Sequence, residues 1–105
     1  MGDRAIEVVE NPSESRFEVT VDGRLAGFTR YDKRSESEYE LFHTEIDPAF
    51  EGQGVASTLI RQTLDTLAGR SIEVLPSCPF VRAFVQRHRE YTRVVPESAR
   101  RRYGL

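Results

Sequence analysis

At 105 residues and 12.0 kDa, with 38% hydrophobic content, the chain has material for one modest core and no room for a second domain. A net charge of -2 and a pI near 5.7 argue against a general attraction to nucleic acid or an anionic membrane, both of which favour a basic face. No apolar run reaches the ~18 residues that span a bilayer, Met1 to Asn11 has no apolar stretch before a small-residue cleavage site, and Cys78 is the only cysteine, so the expectation is one cytoplasmic domain over residues 1–105 with no internal disulfide.

Ile6 and Val8 alternate with Glu7, and Phe17, Val19 and Val21 alternate with Glu18 and Thr20, the period-two pattern of half-buried strands. Asp22-Gly23 predicts a tight hairpin turn into a return strand, Leu25 to Tyr31. The polar stretch Asp32 to Glu38 reads as a loop before a strand from Tyr39 to Ile46. Tyr39 and Leu41 fall on one side of that strand and Phe42 and Ile46 on the other, which predicts a central strand with something packed on each face. Asp47-Pro48 must end it, because proline lacks the amide a ladder needs.

The period then changes. From Gly54 to Ala68 the residues Val55, Leu59, Ile60, Leu64 and Leu67 mark an amphipathic helix closed by Gly69. Ile72 to Leu75 is a short strand stopped by Pro76, and Pro79 opens a second helix carrying Phe80, Val81, Phe84, Val85 and His88. The pattern predicts an α+β fold: a mixed, mainly antiparallel sheet of about five strands with two main helices, in the order β-β-β-β-α-β-α. Arg100, Arg101 and Arg102 beside Tyr103 form a short basic segment, read as a solvated surface or as a contact for phosphate or an acidic partner.

Between the fourth strand and the first helix runs Glu51-Gly52-Gln53-Gly54-Val55-Ala56. A strand, a turn with two glycines and a helix read either as a plain tight turn or as an anion site, in which unsatisfied first-turn amides point outward with partial positive charge. Gly52 and Gly54 permit the tight bend, small Ala56 and Ser57 leave room for phosphate oxygens, and the Ser57 hydroxyl adds a donor. No lysine follows the glycines as in a Walker loop, and the GxGxxG fingerprint is absent.

The run from Ile46 to Leu59 resembles the acetyl-coenzyme A motif of the GCN5-related N-acetyltransferases, written R/QxxGxG/A. His43-Thr44-Glu45 before it and Cys78-Pro79-Phe80-Val81 after it are similar to the small, YjdJ-type branch of that superfamily, and the resemblance covers Phe17 to Tyr91. It implies acetyl-CoA as co-substrate, with Gln53, Gly54, Val55, Ala56 and Ser57 holding the phosphates and backbone at Glu45 and Ile46 meeting the pantetheine arm. Glu51 departs from the motif, being acidic where Arg or Gln is usual, and Arg61, one turn past Ser57, is the expected source of positive charge instead. The larger enzymes insert two helices between their first two strands, whereas only Asn11 to Ser15 stands there, so the acceptor groove should be open and suit a macromolecular amine.

Acetyl transfer to an amine needs a base, donors to the thioester carbonyl and an acid for the leaving thiolate. Cys78 precedes Pro79 at the start of the second helix, where exposed amides favour a thiolate; it reads either as a group that relays or positions the acetyl or as a small buried cysteine. His43, expected on the face of Tyr39 and Leu41, reads either as a base or as a structural group. His88 and Tyr91, in register with Phe80 and Phe84 on the second helix, read as core, with Tyr91 a further candidate acid. No spacing suggests a metal site. The reading is an N-acetyltransferase acting on a primary amine, including one on a protein; the alternatives are an acyl-CoA-binding module with little turnover and an adaptor working through Arg100 to Arg102.

Overall fold

In the computed structural model, which describes residues 4–105, four antiparallel strands come first: β1 (Ile6–Asn11), β2 (Arg16–Val21), β3 (Arg24–Ser35) and β4 (Glu38–Ile46). The start of the Met1 to Asn11 segment, read above for a leader, lies outside the described residues. Helix α1 (Val55–Gly69) then returns the chain so that β5 (Glu73–Pro76) pairs parallel to β4, completing a five-stranded sheet in sequence order. Helix α2 (Pro79–Arg87), a 3-10 stretch (Arg89–Val94), a short helix, α3 (Glu97–Arg100), and a 3-10 turn (Arg101–Tyr103) complete the described chain. The α+β architecture and element order match the pattern expected above.

One face of the sheet makes the core. Phe17, Val19, Val21, Tyr39 and Leu41 are buried there against Val55, Leu59, Ile60, Leu64 and Leu67 of α1, while α2 adds Val81, Phe84 and Val85 beside it. The opposite face carries exposed apolar side chains, Val9, Leu25 and Phe42. The expectation of packing on both faces of β4 is therefore corrected: β4 is flanked by β3 and β5, but Phe42 is 46% exposed.

Two further expectations change. Asp32 to Glu38 is mostly strand rather than loop, because β3 continues to Ser35 and turns at Glu36 and Ser37. This end of the β3–β4 hairpin projects past the core, so its polar residues face water on both sides while the ladder still pairs Asp32 with Glu40 and Lys33 with Tyr39. Tyr91 belongs to the 3-10 stretch, not to α2, which stops at Arg87. The segment after α2 also joins the core through Tyr91, Val94, Val95 and Ala99, and Arg100 is tied back by its Nε donating to the Val95 carbonyl at 3.1 Å. Among the described residues no helix is long and apolar enough to cross a membrane.

Candidate functional site

The ends of β4 and the start of α1 bound the main cavity. After Ile46 the chain makes a 3-10 turn, Pro48–Phe50, whose first amides are met locally: the Asp47 carboxylate accepts from the Ala49 amide at 2.9 Å. Gly52 and Gly54 then take φ of 77° and 76°, left-handed values that cost a side-chain-bearing residue strain. A Cβ at either would meet nothing within 4 Å, so the turn leaves open space above its backbone. Gly54 caps α1 without a side-chain hydrogen bond, and the amides of Val55, Ala56 and Ser57 have no intrahelical acceptor. This is a cradle of outward N–H groups at the positive end of a helix dipole, and it fits a phosphate.

The cavity, about 480 Å³, runs from that cradle along β4. Gly54, Val55, Ala56 and Ser57 line it at the loop, with Glu51 and Gly52; Thr44, Ile46, Phe50 and Phe80 form its other walls. It exists because β4 and β5 separate. They pair only from Glu38 and Glu73 to Leu41 and Pro76, and the last contact is the Cys78 amide donating to the Leu41 carbonyl at 2.9 Å. Beyond Leu41 that edge of β4 faces α2 and the cavity instead of a strand.

At the same place β4 carries a bulge. Arg30 pairs with His43 and Tyr31 with Leu41, so Phe42 is the extra residue. One inserted residue reverses the alternation. Tyr39 and Leu41 face the core, but past Phe42 it is Thr44 and Ile46 that face the helices, and His43 turns to the open side. The expectation that His43 shares a face with Tyr39 and Leu41 is corrected for this reason. His43 is about half exposed, its ring lies 6.3 Å from that of Phe28, and its Nε2 is 2.8 Å from Glu45 Oε2. Glu45 lines a second depression of about 330 Å³ on that side, with Gly27 and Phe28.

The other sequence candidates divide. Ile46, Gly54, Val55, Ala56 and Ser57 line the cavity, whereas Gln53 is exposed and donates its amide to the Ala49 carbonyl at 3.3 Å. Arg61 does not approach the cradle: its guanidinium lies 5.3 Å from the ring centre of Phe84 and 5.7 Å from that of Tyr91. Placed one turn past Ser57, it falls on the flank of α1 that packs beside α2, and the aromatic faces hold it there. The Tyr91 hydroxyl donates to Asp65 Oδ1 at 2.8 Å; burial first, and then that carboxylate, hold its pKa above the ordinary tyrosine value. Cys78 is 3% exposed, and its Sγ lies 3.3 Å from Thr44 Oγ1. Thr44, Phe50 and Phe80 were missed as site residues. The adjacent apolar pair Leu41-Phe42 was the available sign that the alternation slips a phase before Thr44.

A glycine turn with free amides, set under a strand whose far edge has lost its partner, makes an anion site that opens onto a slot along β4. The model of the GCN5-related N-acetyl-transferase family matches residues 16–94, and the chain belongs to that family, whose chemistry is acetyl transfer from acetyl-CoA to an amine. Among solved structures it is similar to Ard1 from Thermoplasma volcanium, with 28% identity and a TM-score of 0.52 over 59% of this chain, spanning only 43% of that one. A GCN5-like protein from Staphylococcus aureus, solved in solution, shares the fold at 20% identity, with a TM-score of 0.67 over 86% of this chain and 87% of that one. No curated protein matches the sequence.

Proposed function

We propose that the chain, as one domain in the cytoplasm, transfers acetyl from acetyl-CoA to a primary amine, including one carried by a protein. The observation that carries this is the single cavity joining the free amides at the start of α1 to the unpaired edge of β4. The amides from Gln53 to Ser57 and the Ser57 hydroxyl hold the phosphates, and backbone at Glu45 and Ile46 aligns the pantetheine arm. Bound acetyl-CoA supplies an activated thioester. Glu51, on the cavity wall, adds no attraction for phosphate, so affinity rests on the backbone. His43, paired with Glu45, stands on the face of β4 opposite Thr44 and the cavity, so as the base it would take the proton of an amine that enters past the unpaired edge of β4. Only the 3-10 turn Pro12–Glu14 and Ser15 separate β1 from β2, which suits an acceptor too large for a lidded pocket.

The burial of Cys78 favours direct attack by the amine over an acetyl relay through the thiol. It also lends weight to the second reading, an acyl-CoA-binding module with little turnover. A thermal-shift titration with acetyl-CoA, CoA and ATP tests the pocket. Ligand at ~100 times its Kd should add ~2.7 kcal/mol, about 10 °C for a domain of this size. A shift with both CoA species and not with ATP supports the reading; no shift at millimolar ligand removes it. Release of free CoA with a panel of amines then separates the enzyme from the binding module.

A further inference from the structure

We propose that the Thr44 hydroxyl is the hydrogen-bond donor to the acyl carbonyl in this site, aimed by Thr29 and Cys78, neither of which touches the substrate. The inference rests on the acyl-CoA reading of the cavity and adds the group that polarises the thioester.

Three hydrogens meet at the Thr44 oxygen: its own and those of Thr29 and Cys78. Thr29 is fully buried, and its Oγ1 lies 2.9 Å from Thr44 Oγ1, its side-chain partner among the described residues. Cys78, 3% exposed, places its Sγ 3.3 Å from the same oxygen. A hydroxyl hydrogen buried without an acceptor carries the full desolvation penalty of an unmet donor, so Thr29 gives its hydrogen to Thr44. The thiol does the same, more weakly. Both lone pairs of the Thr44 oxygen are then occupied, and its own hydrogen has no acceptor among the described residues. Thr44 is a wall of the cavity, so that hydrogen points into it. An oxygen that accepts two hydrogen bonds is also a stronger donor.

The position matches the need. The cradle at Gly52 to Ser57 takes the anionic end of the ligand, while Thr44 lies where the cavity meets Cys78 and the start of α2. Among the described residues Glu51 is the one ionisable side chain on the cavity wall, and it is in the loop rather than beside Thr44. During transfer the amine nitrogen bonds to the carbonyl carbon and the carbon–sulfur bond breaks with its electron pair left on sulfur. The proton lost by nitrogen balances the one sulfur gains. Thr44 keeps its hydrogen throughout and stabilises the charge that grows on the carbonyl oxygen. Cys78 becomes a positioning residue, its thiol hydrogen committed to Thr44.

The test compares wild type, Thr44→Val, Thr44→Ser and Cys78→Ala for CoA and acetyl-CoA affinity, steady-state transfer, and the infrared carbonyl band of bound 13C-acetyl-CoA. Thr44→Val should hold CoA as tightly as wild type, lose ~10²-fold in kcat as for a deleted oxyanion donor, and shift the carbonyl band toward its position in free ligand. Thr44→Ser should restore both, and Cys78→Ala should cost less than Thr44→Val. If Thr44→Val proves unstable, the Thr29→Val/Thr44→Val pair, which leaves no orphaned hydroxyl, carries the same readouts. Wild type that binds CoA while Thr44→Val leaves band and kcat unchanged overturns the proposal alone, as does acetyl trapped on Cys78 with Cys78→Ala inactive. Wild type that binds neither CoA species overturns the cavity reading, and this inference with it.

Discussion

Tyr31 is 4% exposed, its ring stacks on Tyr39 at 4.9 Å between centroids, and its hydroxyl donates to Glu10 Oε2 at 2.6 Å. Arg70 Nη2 lies 2.9 Å from the other Glu10 oxygen, so β1, β3 and the end of α1 are joined through one carboxylate. Burial pushes the Glu10 carboxyl up, but the Tyr31 hydroxyl and the Arg70 guanidinium together hold it below the ordinary glutamate value. Burial first, and then the Glu10 carboxylate, push the Tyr31 phenol well above its ordinary value. The signs follow from proton counts. A lowered carboxyl contributes stability that is present above the unfolded value and lost as pH falls through the folded one. Glu18, lowered by Asn11 and Arg16, adds to that acid loss. A raised phenol contributes stability that is present below the unfolded value, near 10, and lost as pH rises beyond it. Chemical denaturation across pH should therefore show a plateau at neutral pH that falls on both sides. Tyr31→Phe should flatten the alkaline fall only in part, because Tyr91 is raised as well; an alkaline limb unchanged in that variant would count against the assignment.

At the scale of elements, the strands with one buried face were legible because alternation is a local signal: Phe17, Val19 and Val21 state the inner face of β2 outright. So were α1 and the glycine turn, where the change of period and the proline before it coincide. What escaped was set by pairing across strands. The outer end of the β3–β4 hairpin is polar on both faces, and only its ladder makes it strand. The bulge at Phe42 depends on the register with β3, and it decides which of His43 and Thr44 reaches the cavity. Within the site, the loop residues could be named from a motif, whereas the chain Thr29–Thr44–Cys78 joins β3, β4 and the start of α2 and has no signature in spacing. Register has a checkable weak point at Gly27, opposite Ile46. A Cβ there would press on the Glu45 carbonyl and come within 2.6 Å of Ile46 Cδ1. The carbonyl belongs to the ladder and cannot swing aside, so Gly27→Ala should destabilise by about 1–3 kcal/mol, the range of an overpacked core. Because Ile46 is also a cavity wall, CoA affinity should weaken with it. An unchanged Tm and Kd would show that β4 yields more easily than its pairing implies.

Across the whole molecule the net charge of -2 conceals a division. Residues 79–105 carry seven arginines against Glu90 and Glu97, while residues 1–78 carry eight basic side chains against fifteen acidic ones, which leaves them near +5 and -7. The basic part begins with α2, whose Phe80 stands on the cavity wall, so one side of the ligand entrance belongs to it. The sheet, with its open face and the His43–Glu45 pair, belongs to the acidic part. Two oppositely charged reactants would thus meet the chain from different directions, a polyanionic cofactor at the helical side and a cationic amine at the sheet. Net charge alone predicts that added salt, by screening repulsion, speeds the association of CoA. The division predicts the reverse, provided that at a Debye length of ~10 Å in 0.1 M salt the arginines of α2, the helix whose Phe80 stands on the cavity wall, outweigh Glu51 on the same wall. Stopped-flow association rates for CoA between low and high salt decide between them. A rate that falls with salt, and falls less when Arg82 and Arg87 are replaced by Gln, supports steering by the helical side. A rate that rises would mean that Glu51 and the acidic sheet dominate the approach.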